Sequence, residues 1–165
     1  MELYKVNCQF TNLEELYFGF IKKLASKDDI IDILECNKIN FNREDYSKLF
    51  CTMNSDEEFM KVLRERENLN KEVHIKKLEP SRIWELEYLL REIQKYKKEE
   101  SSKSELLDNI YRLFYFFEFP REWSLNKFLL YSMNDSGKPL NEDELYDNLL
   151  SFVEKELVFF TELKN

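Results

Sequence analysis

The sequence predicts an all-α (mostly helical) fold, a single bundle of about seven or eight short helices over residues 1–165. Glycine and proline are scarce, with two and three residues in a chain of 165. Sandwiches and barrels need such residues at a turn every 8–12 residues or so. Apolar residues recur at helical spacing, and Ser or Asn stands three residues before an acid at several helix starts. In that arrangement the side-chain oxygen accepts from a free backbone N–H and the acid reaches back to the cap.

The elements follow in order. Tyr4, Val6, Cys8 and Phe10 alternate with Lys5, Asn7 and Gln9, which suggests a short strand. Val73 and Ile75 alternate with charges, so residues 4–10 and 72–76 are the candidates for one small two-stranded ribbon. Leu13, Leu16, Tyr17, Phe20, Ile21 and Leu24 mark an amphipathic helix starting near Thr11 or Asn12. Ser26 with Asp29 caps a second helix, which buries Ile30, Ile33 and Leu34. Asn42 caps a third carrying Tyr46, Leu49 and Phe50, and Ser55 with Glu58 opens a fourth with Phe59, Met60, Val62 and Leu63. Pro80 and Ser81 open a long helix with Ile83, Leu86, Leu90 and Ile93, ending in Lys95, Lys97 and Lys98. Those cations suit the negative end of the helix dipole.

Glu99 to Ser104 reads as a polar link. An unusually aromatic helix follows and stops at Pro120. Residues 111–133 hold nine aromatic side chains: Tyr111, Phe114, Tyr115, Phe116, Phe117, Phe119, Trp123, Phe128 and Tyr131. The apolar run Leu113 to Phe117 surrounds the helix axis, where a surface helix normally shows an apolar stripe about 100° wide. Leu113, Phe114 and Phe117 continue the Leu106, Ile110 face and are expected in the core. Rings left outside would form an aromatic interface patch. A shorter helix is expected from Leu125 to Met133, then a turn at Asn134-Asp135-Ser136-Gly137. Asn141 with Glu144 caps a last helix, which buries Leu145, Leu149, Val153, Leu157 and Phe160.

Composition limits the function. The net charge is −8. Residues 1–60 carry 7 basic and 12 acidic side chains, residues 61–104 carry 12 and 9, and residues 105–165 carry 6 and 12. Two acidic ends repel phosphate backbones and attract basic proteins, so nucleic acid is not the expected partner. No run of 18 uncharged apolar residues occurs, so no membrane span is expected. The N-terminus lacks the apolar core of a signal peptide. The expectation is a cytoplasmic protein with reduced thiols at Cys8, Cys36 and Cys51, which form no CxxC pair.

Chemistry-bearing motifs are missing. His74 is the single histidine and stands beside no nucleophile signature. Gly19 and Gly137 are too far apart for a phosphate-binding loop. No catalytic, cofactor-binding or metal-ligating residues are assigned, and no enzyme is expected. Asp28, Asp32 and Glu35 stand at i, i+4 and i+7, an acidic stripe along one helix face. Asp143 and Asp147 form a second, smaller set. Each is a solvated helix surface in the plain reading. In the functional reading each is a partner-binding surface for a basic protein.

Two stretches carry a family likeness. One runs Leu16-Tyr17-Phe18-Gly19-Phe20-Ile21 to Asp28-Asp29-Ile30-Ile31. The other runs from Ile110-Tyr111 to Phe119-Pro120-Arg121-Glu122-Trp123, then Phe128, Tyr131, Met133, Asp135 and Gly137. Together they resemble an uncharacterised helical bacterial family that includes immunity proteins of polymorphic toxin systems. The chain differs in having no proline after Met133 and in having Ser136 between Asp135 and Gly137. The resemblance implies a protein that binds and neutralises a cognate toxin domain, such as a basic nuclease. The alternative is a non-catalytic scaffolding or regulatory module, homodimeric through Leu157-Val158-Phe159-Phe160.

Overall fold

The computed structural model describes residues 13–36, 41–69 and 80–162. These form eight helices: α1 Leu13–Ile21, α2 Lys27–Cys36, α3 Arg43–Cys51, α4 Asp56–Leu69, α5 Arg82–Lys97, α6 Lys103–Phe116, α7 Arg121–Leu125 and α8 Glu142–Glu162. The all-α expectation holds. The proposed ribbon of residues 4–10 and 72–76 lies outside the described residues, as do Cys8 and His74. The chain groups into two compact units, Met1–Trp84 and Glu85–Asn165, with the boundary inside the first turn of α5.

In unit 1, α1 packs on α2 and α4, and α3 on α4. Leu13, Leu16, Ile30, Ile33, Leu34, Leu49, Phe59 and Leu63 are buried, as their spacing requires. The Phe20 and Phe59 rings meet at 5.2 Å. Ile21, expected on the buried face of α1, is exposed, because the helix ends there and the chain turns at Lys23. Trp84 fills the space above α1. Its indole N–H donates to the Glu15 carbonyl at 2.7 Å, and a Cβ on Gly19 would lie 2.1 Å from its ring. Gly19 is needed for this close approach rather than for its backbone freedom.

Ser26 and Asp29 exchange backbone hydrogen bonds at the start of α2. Asn42 and Asp45 form the reciprocal capping box of α3. Asp45 also accepts from Arg66 Nε at 2.8 Å, tying α3 to α4. Lys27 joins α2 to the start of α4 through the Met53 carbonyl at 2.7 Å and Asp56 at 2.6 Å.

In unit 2, α6 packs against α8. Leu106, Leu107 and Ile110 are buried on α6, and Leu145, Leu149, Phe152, Val153 and Phe160 on α8. Ser102 and Glu105 form a capping box for α6, so the polar stretch Glu99 to Ser104 already contains the helix start. Asn141 and Glu144 form another for α8. Trp123 is fully buried, with its ring near those of Phe114, Phe117 and Phe128. Phe128 in turn meets Phe152 at 5.0 Å.

The short helix expected from Leu125 to Met133 is replaced by α7, which starts after Pro120 and ends at Leu125. Turns follow it, because Lys127 and Tyr131 take left-handed φ of 55° and 70°. The Asn134 side chain closes the next turn by accepting from the N–H groups of Ser136 and Lys138.

With so few glycines, the helix ends use other residues in the left-handed conformation. Lys23 (φ 57°), Glu99 (φ 59°) and Glu118 (φ 60°) stand where glycine usually does. In each case the next N–H bonds back five residues: Leu24 to Gly19, Glu100 to Lys95, and Phe119 to Phe114. These bonds satisfy carbonyls that the helix leaves over.

Candidate functional site

Two surfaces could meet a partner, one in each unit. The first is the outer face of α2. Its inward side carries four aliphatic residues, Ile30, Ile31, Ile33 and Leu34, which set the rotation of the helix. That rotation leaves Asp28, Asp32 and Glu35 exposed together. None of the three has an ion-pair partner among the described residues. Glu35 reaches the neighbourhood of α3, where burial and then the Glu35 charge push the Tyr46 hydroxyl above its ordinary range. Asp29, between the stripe residues, is occupied with the Ser26 cap.

The second acidic set divides. Asp143, in the first turn of α8, pairs with Lys103 of α6, and this bond raises the lysine above its usual value. Lys103 also lies 5.4 Å from the centre of the Tyr146 ring. Asp147 is exposed and has no ion-pair partner among the described residues. Asp143 therefore helps to join two helices, and Asp147 alone of this set is available.

The second surface is aromatic, and the acidic site assignment passed over it. Phe117 is buried as expected, 8% exposed, and Leu106 and Ile110 are buried beside it in sequence. Leu113 and Phe114 are only half-buried, which corrects their assignment to the core. The helix ends one turn later, so the rings past Ile110 outnumber the inward positions. Tyr115, Phe119 and Tyr131 are 53%, 57% and 79% exposed.

These rings form one cluster with Tyr111 and Phe114. Tyr111 meets Tyr115 at 5.3 Å and Tyr131 at 5.7 Å. Phe119 meets Phe114 at 5.3 Å and Tyr115 at 5.0 Å. The edge-to-face geometry suits aromatic quadrupoles. The Tyr111 and Tyr115 hydroxyls are 3.2 Å apart, a bond that pushes the Tyr111 hydroxyl above its ordinary range. Phe119 (φ 65°) and Tyr131 (φ 70°) both occupy the left-handed region, an uncommon state for bulky residues. The signal for this patch was the unbroken apolar run 113–117.

The remaining features offer little chemistry. Cys36 and Cys51 are free and exposed. Among the described residues no group of three His, Cys, Asp or Glu side chains is placed to hold a metal ion, and no helix is long and apolar enough to cross a membrane. A family described as an uncharacterised protein conserved in bacteria, DUF2247, matches residues 1–157 and so spans both units. Among curated proteins and solved structures nothing matches the chain.

Proposed function

We propose that this chain, which belongs to that family of uncharacterised bacterial proteins, is an immunity protein, one that binds and neutralises a cognate bacterial toxin domain without chemistry of its own. The observation that carries the reading is the α2 surface: three exposed carboxylates on one helix, unpaired among the described residues. Several acids elsewhere are engaged, as Asp45, Asp56 and Asp143 are with Arg66, Lys27 and Lys103. A stripe held apart from such pairs, on a chain of net charge −8, accelerates encounter with a basic protein. Nucleases are basic where they hold their anionic substrate, so a nuclease toxin fits this surface best.

The test is co-expression with the toxin domain encoded beside the gene, scored by growth and co-purification. Reversing Asp28, Asp32 and Glu35 to Lys should slow association and flatten its salt dependence while the fold survives, since rim charges act mainly on the on-rate. If the triple variant protects cells and binds like the parent at two ionic strengths, the stripe is a solvated face and the site lies elsewhere.

A second reading is a scaffolding module that dimerises through α8. Exposed Val158 favours it, but Phe160 of the same segment is buried and not free to pair. Sedimentation of the isolated chain as a monomer at high concentration rejects it.

A further inference from the structure

We infer that the aromatic cluster of unit 2 is an arginine-binding surface, on which a basic segment of the protein partner lays guanidinium groups against Tyr115, Phe119 and Tyr131. The inference rests on the reading that the partner is a basic protein, and it names the contact that holds such a partner after encounter.

Elsewhere the protein covers aromatic faces with its own cations. Arg64 lies 5.2 Å from the Tyr17 ring centre, Arg91 4.6 Å from Tyr88, and Lys22 5.9 Å from Phe18. In the cluster no lysine or arginine among the described residues sits over Tyr111, Phe114, Tyr115, Phe119 or Tyr131. Two of the cations nearest in sequence are already held by acids, Arg112 by Asp108 at 2.9 Å and Lys127 by Asp135 at 2.6 Å. The third, Arg121, lies between Glu118 and Glu122 in the sequence. No cation among the described residues occupies these rings, and Tyr115, Phe119 and Tyr131 expose more than half of their surface to one from outside.

Charge points the same way. Residues 85–165 carry 11 basic and 17 acidic side chains, so unit 2 attracts a basic segment over the Debye range.

The backbone points to the same cluster. Phe119 and Tyr131 hold their rings at the surface from left-handed φ of 65° and 70°. Neither ring gains burial in return, being 57% and 79% exposed. Non-glycine residues persist in such conformations where the surroundings impose them, and they concentrate at functional sites. Two strained and exposed aromatic residues in one cluster fit a preformed platform. Such a platform favours arginine over lysine, because a planar, weakly hydrated guanidinium stacks on a ring and an ammonium keeps its water.

The test uses the full chain and two probes of equal length, an oligoarginine and an oligolysine peptide, titrated by tyrosine fluorescence and by NMR. The parent should bind the arginine peptide about fivefold more tightly, an advantage that persists at high salt. The Tyr115→Ser/Phe119→Ser/Tyr131→Ser variant should bind both peptides alike. Tyr131→Ser alone, at the most exposed position, should lose part of the preference with an unchanged melting temperature. The Asp28→Asn/Asp32→Asn/Glu35→Gln variant should bind both peptides more weakly at low salt and keep the preference.

Equal binding of the two peptides by the parent overturns the proposal, and so does a preference that survives in the ring variants. Ring-dependent self-association of the parent overturns it too, in favour of a second copy as the occupant. Cell protection without arginine preference sinks only this surface. Arginine preference without protection sinks only the toxin reading.

Discussion

Helix α2 and the end of α6 are both rich in apolar residues, but they treat them in opposite ways. In α2 the aliphatic residues Ile30, Ile31, Ile33 and Leu34 are all buried and the stripe Asp28, Asp32 and Glu35 is all exposed. In α6 the separation holds through Leu106, Leu107 and Ile110, then fails: Phe117 is buried while Tyr115 and Phe116 face outward. A helix with four aliphatic residues on a stripe has room to bury them all. Rings all round an axis do not fit one inward face, and the excess stays at the surface. An exposed polar face has a ready physical explanation in hydration. A contiguous aromatic patch, costly to leave in water, points to something that covers it.

The comparison is broken most directly at Phe117 and Tyr131. Phe117→Ala should cost about 3–5 kcal/mol of stability, the range for truncating a buried ring. Tyr131→Ala, on the exposed side of the same segment, should change stability by less than about 0.5 kcal/mol. Urea unfolding of both variants checks this, and equal losses would remove the distinction between core and patch.

In unit 1 the corresponding pressure point is the close approach of Trp84 to α1. Gly19→Ala places a methyl group inside the indole and should destabilise by about 1–3 kcal/mol, as overpacking does. Trp84 fluorescence should shift as the ring is displaced. An unchanged melting temperature would show that α1 and Trp84 are not in that contact.

A smaller effect, opposite in sign, separates helix ends kept for structure from those that hold the patch. Lys23→Gly and Glu99→Gly should each stabilise by about 1 kcal/mol, because glycine lacks the steric penalty of a left-handed side chain. Phe119→Gly should relieve the same strain but remove the ring, so stability should hold or rise while arginine preference falls. Loss of stability at Phe119→Gly would mean that the ring serves the core.

The smallest expected effect is on acidification. Backbone and side-chain hydrogen bonds from Ser102 hold Glu105 below its usual 4.5, and Lys127 holds Asp135 below 3.8. Both folded values lie below the unfolded ones, so each contribution is present above the ordinary carboxylate range and is lost as pH falls through the depressed value. Glu105→Gln, which can still bond the Ser102 N–H but does not titrate, should have a melting temperature that falls less than the parent's between about pH 5 and pH 3. Parallel curves would exclude the cap as a source of acid sensitivity.

Much of the fold was legible because its causes are local. Two glycines in 165 residues and repeated capping pairs identify helices without reference to distant contacts. The reciprocal bonds at Ser26, Asn42 and Asn141 appear where the residue spacing placed them. The Ser102 cap was missed because it lies within a polar run that looks like a linker. The helix expected after Leu125 failed because left-handed φ at Lys127 and Tyr131 has no composition signature when glycine is absent. Of the candidate site residues, the exposure of Asp28, Asp32 and Glu35 follows from helical periodicity, whereas the pairing of Asp143 with Lys103, 40 residues away, does not.

The sequence by itself determined the helical class, most caps, the acidic surplus and most of the buried positions of α1, α2 and α8, since these depend on residues three or four apart. Only tertiary structure decided which carboxylates remain unpaired and which aromatic rings stay outside. Both outcomes depend on competition for a limited set of neighbours. Trp123 fills the space beside Phe117 and Phe128 in unit 2, and a core packed to crystal-like density admits no further ring. Tyr115, Phe116, Phe119 and Tyr131 are the rings for which no inward space was left.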